Sequence, residues 1–271
     1  MDEIGGARPA PYLYKRIKGV QLNVFYFPPK GPEPEGGYPA ILLLTGGGFQ
    51  GGTPVMFYPH ARYWADRGFA AFSADYRYIK AHGTEPRESL QDAKSCIRWL
   101  RKNAGTFGIN PERLVVGGFS AGGHLSIATA LLEGFDEPGE DTAISARPDA
   151  AFAYGAVVDT SGMAERLSIT GGYEIAFSPI HNIRPNCPPM ILFWGAEDDI
   201  TPPETARAFG AKMSEAGNRC DVRIFEGVGH GAFNYAGGDQ PHYYYALGMI
   251  DDFLVERGFI QGRHPESFPE F

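Results

Sequence analysis

The stretch from Leu114 to Leu132 admits few folds. Leu114-Val115-Val116-Gly117 is a short apolar strand that runs straight into Gly118-Phe119-Ser120-Ala121-Gly122. A helix containing His124, Leu125 and Ile127 follows without a break. A strand that enters a helix through so tight a turn needs glycines, because only they let neighbouring backbone approach at little steric cost. Such a unit also sets the layer arrangement: the helix leaves one end of a sheet and must pack back across it.

The rest of the chain repeats that alternation. Residues 39–44 (PAILLL), 69–75 (FAAFSAD), 149–158 and 189–194 (PMILFW) are nearly continuous apolar runs, which fit strands covered on both faces of a parallel sheet. Residues 20–27 (VQLNVFYF) and 221–225 read as further strands. Between them the helical patterns fall over 58–67, 89–103, 121–132, 202–216 and 243–257. In 89–103 the apolar positions Leu90, Ala93, Ile97 and Leu100 keep the spacing of one helix face. Pro59 suits a first turn, and Gly68, Gly217 and Gly258 close helices. Asn110-Pro111 reads as a cap and turn ahead of a short strand over 114–118. Residues 1–18 are polar and Pro-rich and are expected to wrap the surface, and the loop 28–38 is too short to link two separate cores. The expectation is one domain over 1–271, a mostly parallel sheet with helices on both faces.

Composition removes several function classes. A net charge of −8 disfavours contact with a phosphate backbone, so no nucleic-acid partner is expected. No apolar run approaches the ~18 residues of a membrane span, so no membrane partner is expected either. Cys96, Cys187 and Cys220 are too few and too scattered for a disulfide framework or a metal motif, and read as small buried apolar groups. The first residues carry no basic segment ahead of an apolar one, so the default compartment is the cytoplasm; a secreted or periplasmic protein would need a leader ahead of this chain.

Within this frame Ser120 sits where a nucleophile would. Its alternative reading is an N-capping serine in a Gly-rich turn. A serine hydroxyl needs an adjacent base and a group that orients the base. Downstream, Asp198 lies just past the run 189–194, in Gly195-Ala196-Glu197-Asp198-Asp199-Ile200-Thr201-Pro202, where α/β sites form. Glu197 and Asp199 read as solvated loop charges. Of the histidines beyond Asp198, His230 stands in the Gly-rich segment 227–233 directly after a strand; His242 opens a helix and His264 is in the polar tail. His230 is therefore the expected base. Earlier in the chain, Thr45-Gly46-Gly47-Gly48-Phe49 follows a buried strand, so its backbone N–H groups can serve an oxyanion, with Ala121 N–H as second contributor. His124 reads as packing near the turn, and His60, His82 and His181 as structural or exposed. No histidine pair has the spacing of a zinc helix, so no metal site is expected.

These segments carry a family resemblance over roughly residues 21–259. TGGGF, ADYRY, the block DAKSCIRWLRKNAGTFGINPERLVVGGFSAGGHL, GAEDDITP and GVGHGAF resemble the α/β-hydrolase superfamily, in its acetyl-esterase/lipase branch near hormone-sensitive-lipase-like and feruloyl or acetyl-xylan esterases. The resemblance implies an α/β-hydrolase fold with a mostly parallel eight-stranded sheet and no cofactor. It implies Ser120, Asp198 and His230 as the catalytic triad, and Gly47, Gly48 and Ala121 as the oxyanion hole. Asp92, Arg98 and Trp99 are similar to scaffold positions. One departure is Thr45, where the branch usually has histidine. The cap is expected to be minimal or absent: residues 133–148 are a short insert and 161–188 a small lid segment. The implied activity is a serine carboxylesterase acting on short-chain acyl esters, acetyl or feruloyl groups on plant carbohydrates among them, with Phe49 and Phe119 crowding the acyl side. The same triad also supports an amidase or peptidase, such as an arylformamidase or exopeptidase, and a non-catalytic binding protein would be a third class.

Overall fold

The structure is a computed structural model describing residues 9–235 and 240–262. Among the described residues, β1 (Ala10–Ile17), β2 (Val20–Phe27), β3 (Tyr38–Leu44), β4 (Ala70–Ala74), β5 (Ile109–Phe119), β6 (Ala150–Tyr154), β7 (Met190–Gly195) and β8 (Cys220–Phe225) form one eight-stranded sheet in the order β1-β2-β4-β3-β5-β6-β7-β8. β2 runs antiparallel to both neighbours, and every pairing from β4 to β8 is parallel. The helices are α1 (Tyr58–Asp66), α2 (Ile79–His82), α3 (Pro86–Lys102), α4 (Ala104–Phe107), α5 (Ala121–Leu131), α6 (Pro203–Glu215) and α7 (Pro241–Glu256).

Strand periodicity divides the core into two layers. On β3, Ala40, Leu42 and Leu44 join the cluster built with α3, α5 and α6, while Ile41 and Leu43 join the cluster built with α1 and α7. Leu42, Leu43 and Leu44 are fully buried, each contributing roughly 1.5–3 kcal/mol by area burial. With helices on both faces, the loops at the strands' C-terminal ends are left to carry chemistry.

Two sequence expectations change. The segment 1–18 does not simply wrap the surface, since residues 10–17 form edge strand β1, paired antiparallel with β2. Its prolines hid it: Pro9 and Pro11 argue against a central strand but are tolerated at an edge. β1 is fastened by its polar side chains. Tyr14 hydroxyl donates to the Asp75 carbonyl at 2.6 Å, and Lys15 Nζ lies 2.7 Å from Asp92 and 2.8 Å from Glu137. Asp92, on α3, also receives Arg77 through Nε and Nη2 at 2.8 Å each. Second, Asn110-Pro111 keeps its side-chain-capped turn, with Asn110 Oδ1 accepting from Glu112 N–H at 2.9 Å, but lies inside a longer β5 that starts at Ile109; the pairing with β3 shifts register between Tyr38 and Ala40, which absorbs the proline. The three cysteines are free thiols. Among the described residues no helix is long and apolar enough to cross a membrane.

Two histidines lie in the core, one in each layer. His60 on α1 is ringed by Phe57, Tyr154 and Tyr243, and burial pushes its imidazole down to about 3. His124 on α5 lies between Phe49 and Phe177, and burial pushes it down to about 4. Both are neutral when folded, whereas the unfolded chain binds their protons from about pH 6.5 downward. The unfolded state therefore binds more protons between that value and the folded ones, and stability falls with pH across the window. Chemical denaturation at pH 7.5 and pH 5 should show a loss of roughly 1.4 kcal/mol per histidine per pH unit below 6.5. A stability flat from pH 6.5 to 4.5 would contradict the neutral, buried assignment.

Candidate active site

The turn between β5 and α5 holds Ser120 at φ 52° and ψ −116°, a conformation that L-residues adopt at a cost. Its surroundings leave no alternative. A Cβ on Gly118 would lie 2.3 Å from the Gly122 carbonyl oxygen, and one on Gly122 only 2.0 Å from that of Leu44. The Ser120 N–H donates to the Tyr154 carbonyl at 2.8 Å, and the Ser120 carbonyl accepts from His124 N–H at 2.9 Å. The backbone is thereby locked to β6 on one side and to α5 on the other. The Ser120 hydroxyl stands above the sheet at the N-terminus of α5, where partial positive charge favours an anion.

His230 and Asp198 reach this hydroxyl from two neighbouring loops. The loop after β7 and the loop after β8 are joined backbone to backbone: Ala196 N–H donates to the Phe225 carbonyl at 2.8 Å and Glu197 N–H to that of Val228 at 3.0 Å. Gly195 permits this, since a Cβ there would sit 2.1 Å from the Val228 oxygen. His230 Nε2 lies 3.0 Å from Ser120 Oγ, and His230 Nδ1 lies 2.7 Å from Asp198 Oδ2. Asp198 is buried, and its carboxylate is saturated with donors. Oδ1 accepts from Ile200 N–H at 3.0 Å and Thr201 N–H at 2.8 Å, and the Thr201 hydroxyl lies 2.8 Å from Oδ2. Glu197 and Asp199 are exposed beside it. An aspartate facing Nδ1 selects the tautomer with its proton there, which leaves the Nε2 lone pair toward the serine.

The Gly-rich loop after β3 lies alongside. Gly47, at φ 135°, closes a tight turn in which its carbonyl accepts from Gln50 N–H at 2.9 Å; a Cβ on it would fall 1.9 Å from the Gly51 oxygen. Among the described residues no carbonyl accepts from the N–H of Gly47 or Gly48. Ala121 is the first residue of α5, so its N–H has no intrahelical acceptor. The loop is anchored by Tyr76, whose hydroxyl donates to the Thr45 carbonyl at 2.7 Å while burial holds the phenol protonated. Thr45 in turn explains Gly52: a Cβ at position 52 would come 2.7 Å from Thr45 Oγ1 and 2.9 Å from the Gly46 carbonyl oxygen.

The two expected acyl-side aromatics part company. Phe119 packs its ring 4.8 Å from the His230 ring and keeps a little exposed surface. Phe49 does not line the site. Its φ of 60° turns the side chain inward, where it is fully buried between His124 and Phe177 and has no surface to offer a ligand. His242 stacks edge-on to Phe225 and shares a surface hollow with His230, and His264 lies outside the described residues. His124 Nδ1 lies 2.7 Å from the Val157 carbonyl and stays in the core. Among the described residues no cluster of His, Cys, Asp and Glu could hold a metal ion.

Of the expected lid segment 161–188, residues 161–178 form no helix or strand, and Pro179–His181 is one turn of 3-10 helix. Arg166 Nη2 donates to the Ile200 carbonyl at 3.0 Å, Thr170 hydrogen-bonds Glu85 through both hydroxyl and N–H, and Arg87 lies 5.3 Å above the Tyr173 ring. Three contributors escaped the sequence reading: Thr201, Tyr76 and Gly155. The signal for Thr201 was its position three residues after an acidic loop residue, the spacing at which a side chain and its neighbouring N–H groups meet. Gly155 was hidden inside the apolar run 149–158, although β6 ends at Tyr154.

The chain is similar to known esterases in sequence and in fold. The family profile BD-FAE matches residues 25–175. Esterase 2 of Thermogutta terrifontis in its apo form superposes with a TM-score of 0.90 at 39% identity, covering 94% of this chain and 97% of that one. Structures of the same esterase with propionate or butyrate bound give 0.88 and 0.89 at 37% identity. Esterase LipC of Mycobacterium tuberculosis is 29% identical over 71% of this chain and 53% of its own length. Endo-1,4-beta-xylanase B of Butyrivibrio fibrisolvens is 28% identical over 65% of this chain and 29% of its own. The chain thus spans about half or less of these two curated relatives.

Gly155 supplies the direct test of how closely these groups are packed. At φ 48°, a Cβ would lie 3.0 Å from His230 Nδ1 and 3.2 Å from Asp198 Oδ2. Gly155→Ala should therefore cost about 1–2 kcal/mol in a denaturant melt through its left-handed backbone. Its crystal structure should show His230 Nε2 beyond the ~3.5 Å hydrogen-bond limit from Ser120 Oγ. An alanine accepted with the 3.0 Å contact intact would show that the pair has slack.

Proposed function

The chain belongs to the BD-FAE family and has the α/β-hydrolase fold, and from that premise we propose that it is a serine carboxylesterase using Ser120, His230 and Asp198 as its catalytic triad. The observation that carries this reading is the continuous Ser120–His230–Asp198 contact, 3.0 Å and then 2.7 Å, between groups distant in sequence.

The chemistry follows from the geometry. His230 Nε2 removes the Ser120 proton as Oγ attacks the ester carbonyl, and Asp198 stabilises the resulting imidazolium without accepting its proton. The oxyanion forms beside the N–H groups of Gly47, Gly48 and Ala121, an arrangement worth about 10²–10³ in rate per donor in comparable sites. His230 then protonates the departing alcohol, and water, activated by the same imidazole, releases the acid. No step requires a metal or cofactor.

The acyl group is short. Phe119 stands against the imidazole, and the neighbouring Thermogutta esterase accommodates propionate and butyrate. The relative named endo-1,4-beta-xylanase B supports a plant-carbohydrate ester, with acetyl or feruloyl groups as the released acids.

Ser120→Ala should lower kcat on p-nitrophenyl acetate by about 10⁴-fold or more while leaving the melting temperature near wild type. It should also abolish labelling by a fluorophosphonate; turnover close to wild type in the variant would remove Ser120 from its role. For the substrate, p-nitrophenyl acetate and butyrate should exceed the octanoate in kcat/KM. Acetylated xylan and feruloyl esters should be cleaved faster than aminoacyl-anilides or formylkynurenine, and the reverse order would make the protein an amidase.

A further inference from the structure

We propose that Thr201 is a positioning residue of the acid–base pair, its hydroxyl fixing which Asp198 oxygen faces the imidazole. This rests on the triad reading above. A carboxylate turns easily about its Cβ–Cγ bond, because that torsion has a broad, two-fold potential. In Asp198 the two oxygens do different work. Oδ1 is held by the N–H groups of Ile200 and Thr201, and Oδ2 faces His230 Nδ1 at 2.7 Å. The backbone donors fix only one end of the group. The other end is held by Thr201, whose Oγ1 lies 2.8 Å from Oδ2.

Thr201 Oγ1 touches three partners and has one proton to give. They are Asp198 Oδ2 at 2.8 Å, the Gly155 carbonyl at 3.1 Å and His230 Nδ1 at 3.3 Å. The shortest contact is also the one to a charged acceptor, so the proton goes to Oδ2. Oγ1 is then left with its lone pairs 3.3 Å from Nδ1, as a second acceptor for the Nδ1–H. Thr201 is buried at 4% exposure, and its branched Cβ restricts rotation away from this position. Thr201 thus binds both oxygens of one carboxylate, by N–H and by O–H, while contacting the base that this carboxylate orients. A residue serving only to shape the loop would need the N–H bond alone.

The test is a series at this position assayed on p-nitrophenyl acetate beside wild type and Ser120→Ala. Thr201→Val keeps the volume, Thr201→Ala removes any clash a methyl would make with Oδ2, and Thr201→Ser keeps the hydroxyl. Loss of a buried, charge-assisted bond predicts that kcat falls about ten- to a hundredfold in the Val and Ala variants. KM should stay within about twofold, since the substrate does not touch Thr201, and the rate of fluorophosphonate labelling should fall in parallel with kcat. Thr201→Ser should recover kcat to within about threefold. The inference is overturned if folded Thr201→Ala retains the wild-type kcat, or if serine fails to rescue while melting like wild type. It is equally overturned if both hydroxyl-free variants only melt lower with kcat unchanged. Should Ser120→Ala itself remain active, the triad reading falls instead; an inactive Ser120→Ala beside a fully active Thr201→Ala sinks only the positioning role.

Discussion

Everything at the site depends on one strained residue. Ser120 at positive φ is a conformation costing on the order of 1–3 kcal/mol, and such strain persists only where its surroundings over-determine it. Here they do so with backbone, not side chains. Gly118 lets the turn fold onto Gly122, Gly122 lets α5 meet the carbonyl at the end of β3, and Gly117 accommodates the Phe152 ring that would lie 2.0 Å from a Cβ. Three closely packed glycines replace what would otherwise be a splayed strand end, and the sheet's burial energy outweighs the local cost. Ser126 completes the lock one turn later. Its hydroxyl reaches the Val116 and Phe152 carbonyls at 2.7 and 3.0 Å, tying α5 to two strands at once.

The same economy governs the charged interior. Asp92 is completely buried and takes both Arg77 and Lys15, while Glu137 shares those two cations. Taking such groups out of water is costly, and removing one member would leave an uncompensated charge, typically a loss of about 3–5 kcal/mol. The arrangement makes sense as a joint. β1, the segment between β4 and α3, α3 itself and the segment after α5 all meet there, and Arg77 adjoins Tyr76, which holds the Thr45 carbonyl. The Gly-rich loop is thus supported from beneath by a network that reaches the far edge of the sheet.

The parallel strands and the long helices were legible because each is covered on both faces or presents one regular apolar stripe, and a run such as residues 39–44 carries that information locally. The elbow and Asp198 were legible for a related reason, since each stands just after such a run, and His230 by its Gly-rich loop after the half-buried strand β8, all at the edge where the topology gathers loops. What escaped depends on contacts between distant segments. β1 pairs with its neighbour β2, but its prolines mask it, and the Tyr14 and Lys15 side chains that fasten it reach partners 61 and 122 residues away, which no local pattern announces. Phe49 looked like a pocket aromatic because it follows three glycines, but its positive φ sends the ring into the core. Thr201 and Gly155 gain their meaning only when the loops after β6, β7 and β8 are brought together.

Those loops differ in how they are held to the body. Around Ser120, His230 and Asp198 the segments touch through glycine backbones at distances that leave no room for a side chain, and closely packed interiors of this kind transmit displacement instead of absorbing it. Residues 161–178 are held otherwise. Leu167, Ile169 and Phe177 sink into the core beside α5, while side-chain contacts to Glu85, Arg87 and Ile200 tie the polar stretches between them near the surface. The 3.0 Å and 2.7 Å contacts therefore sit on a frame with no room for adjustment, while in residues 161–178 only the exposed polar ties, which water can replace at small cost, can change without disturbing the core.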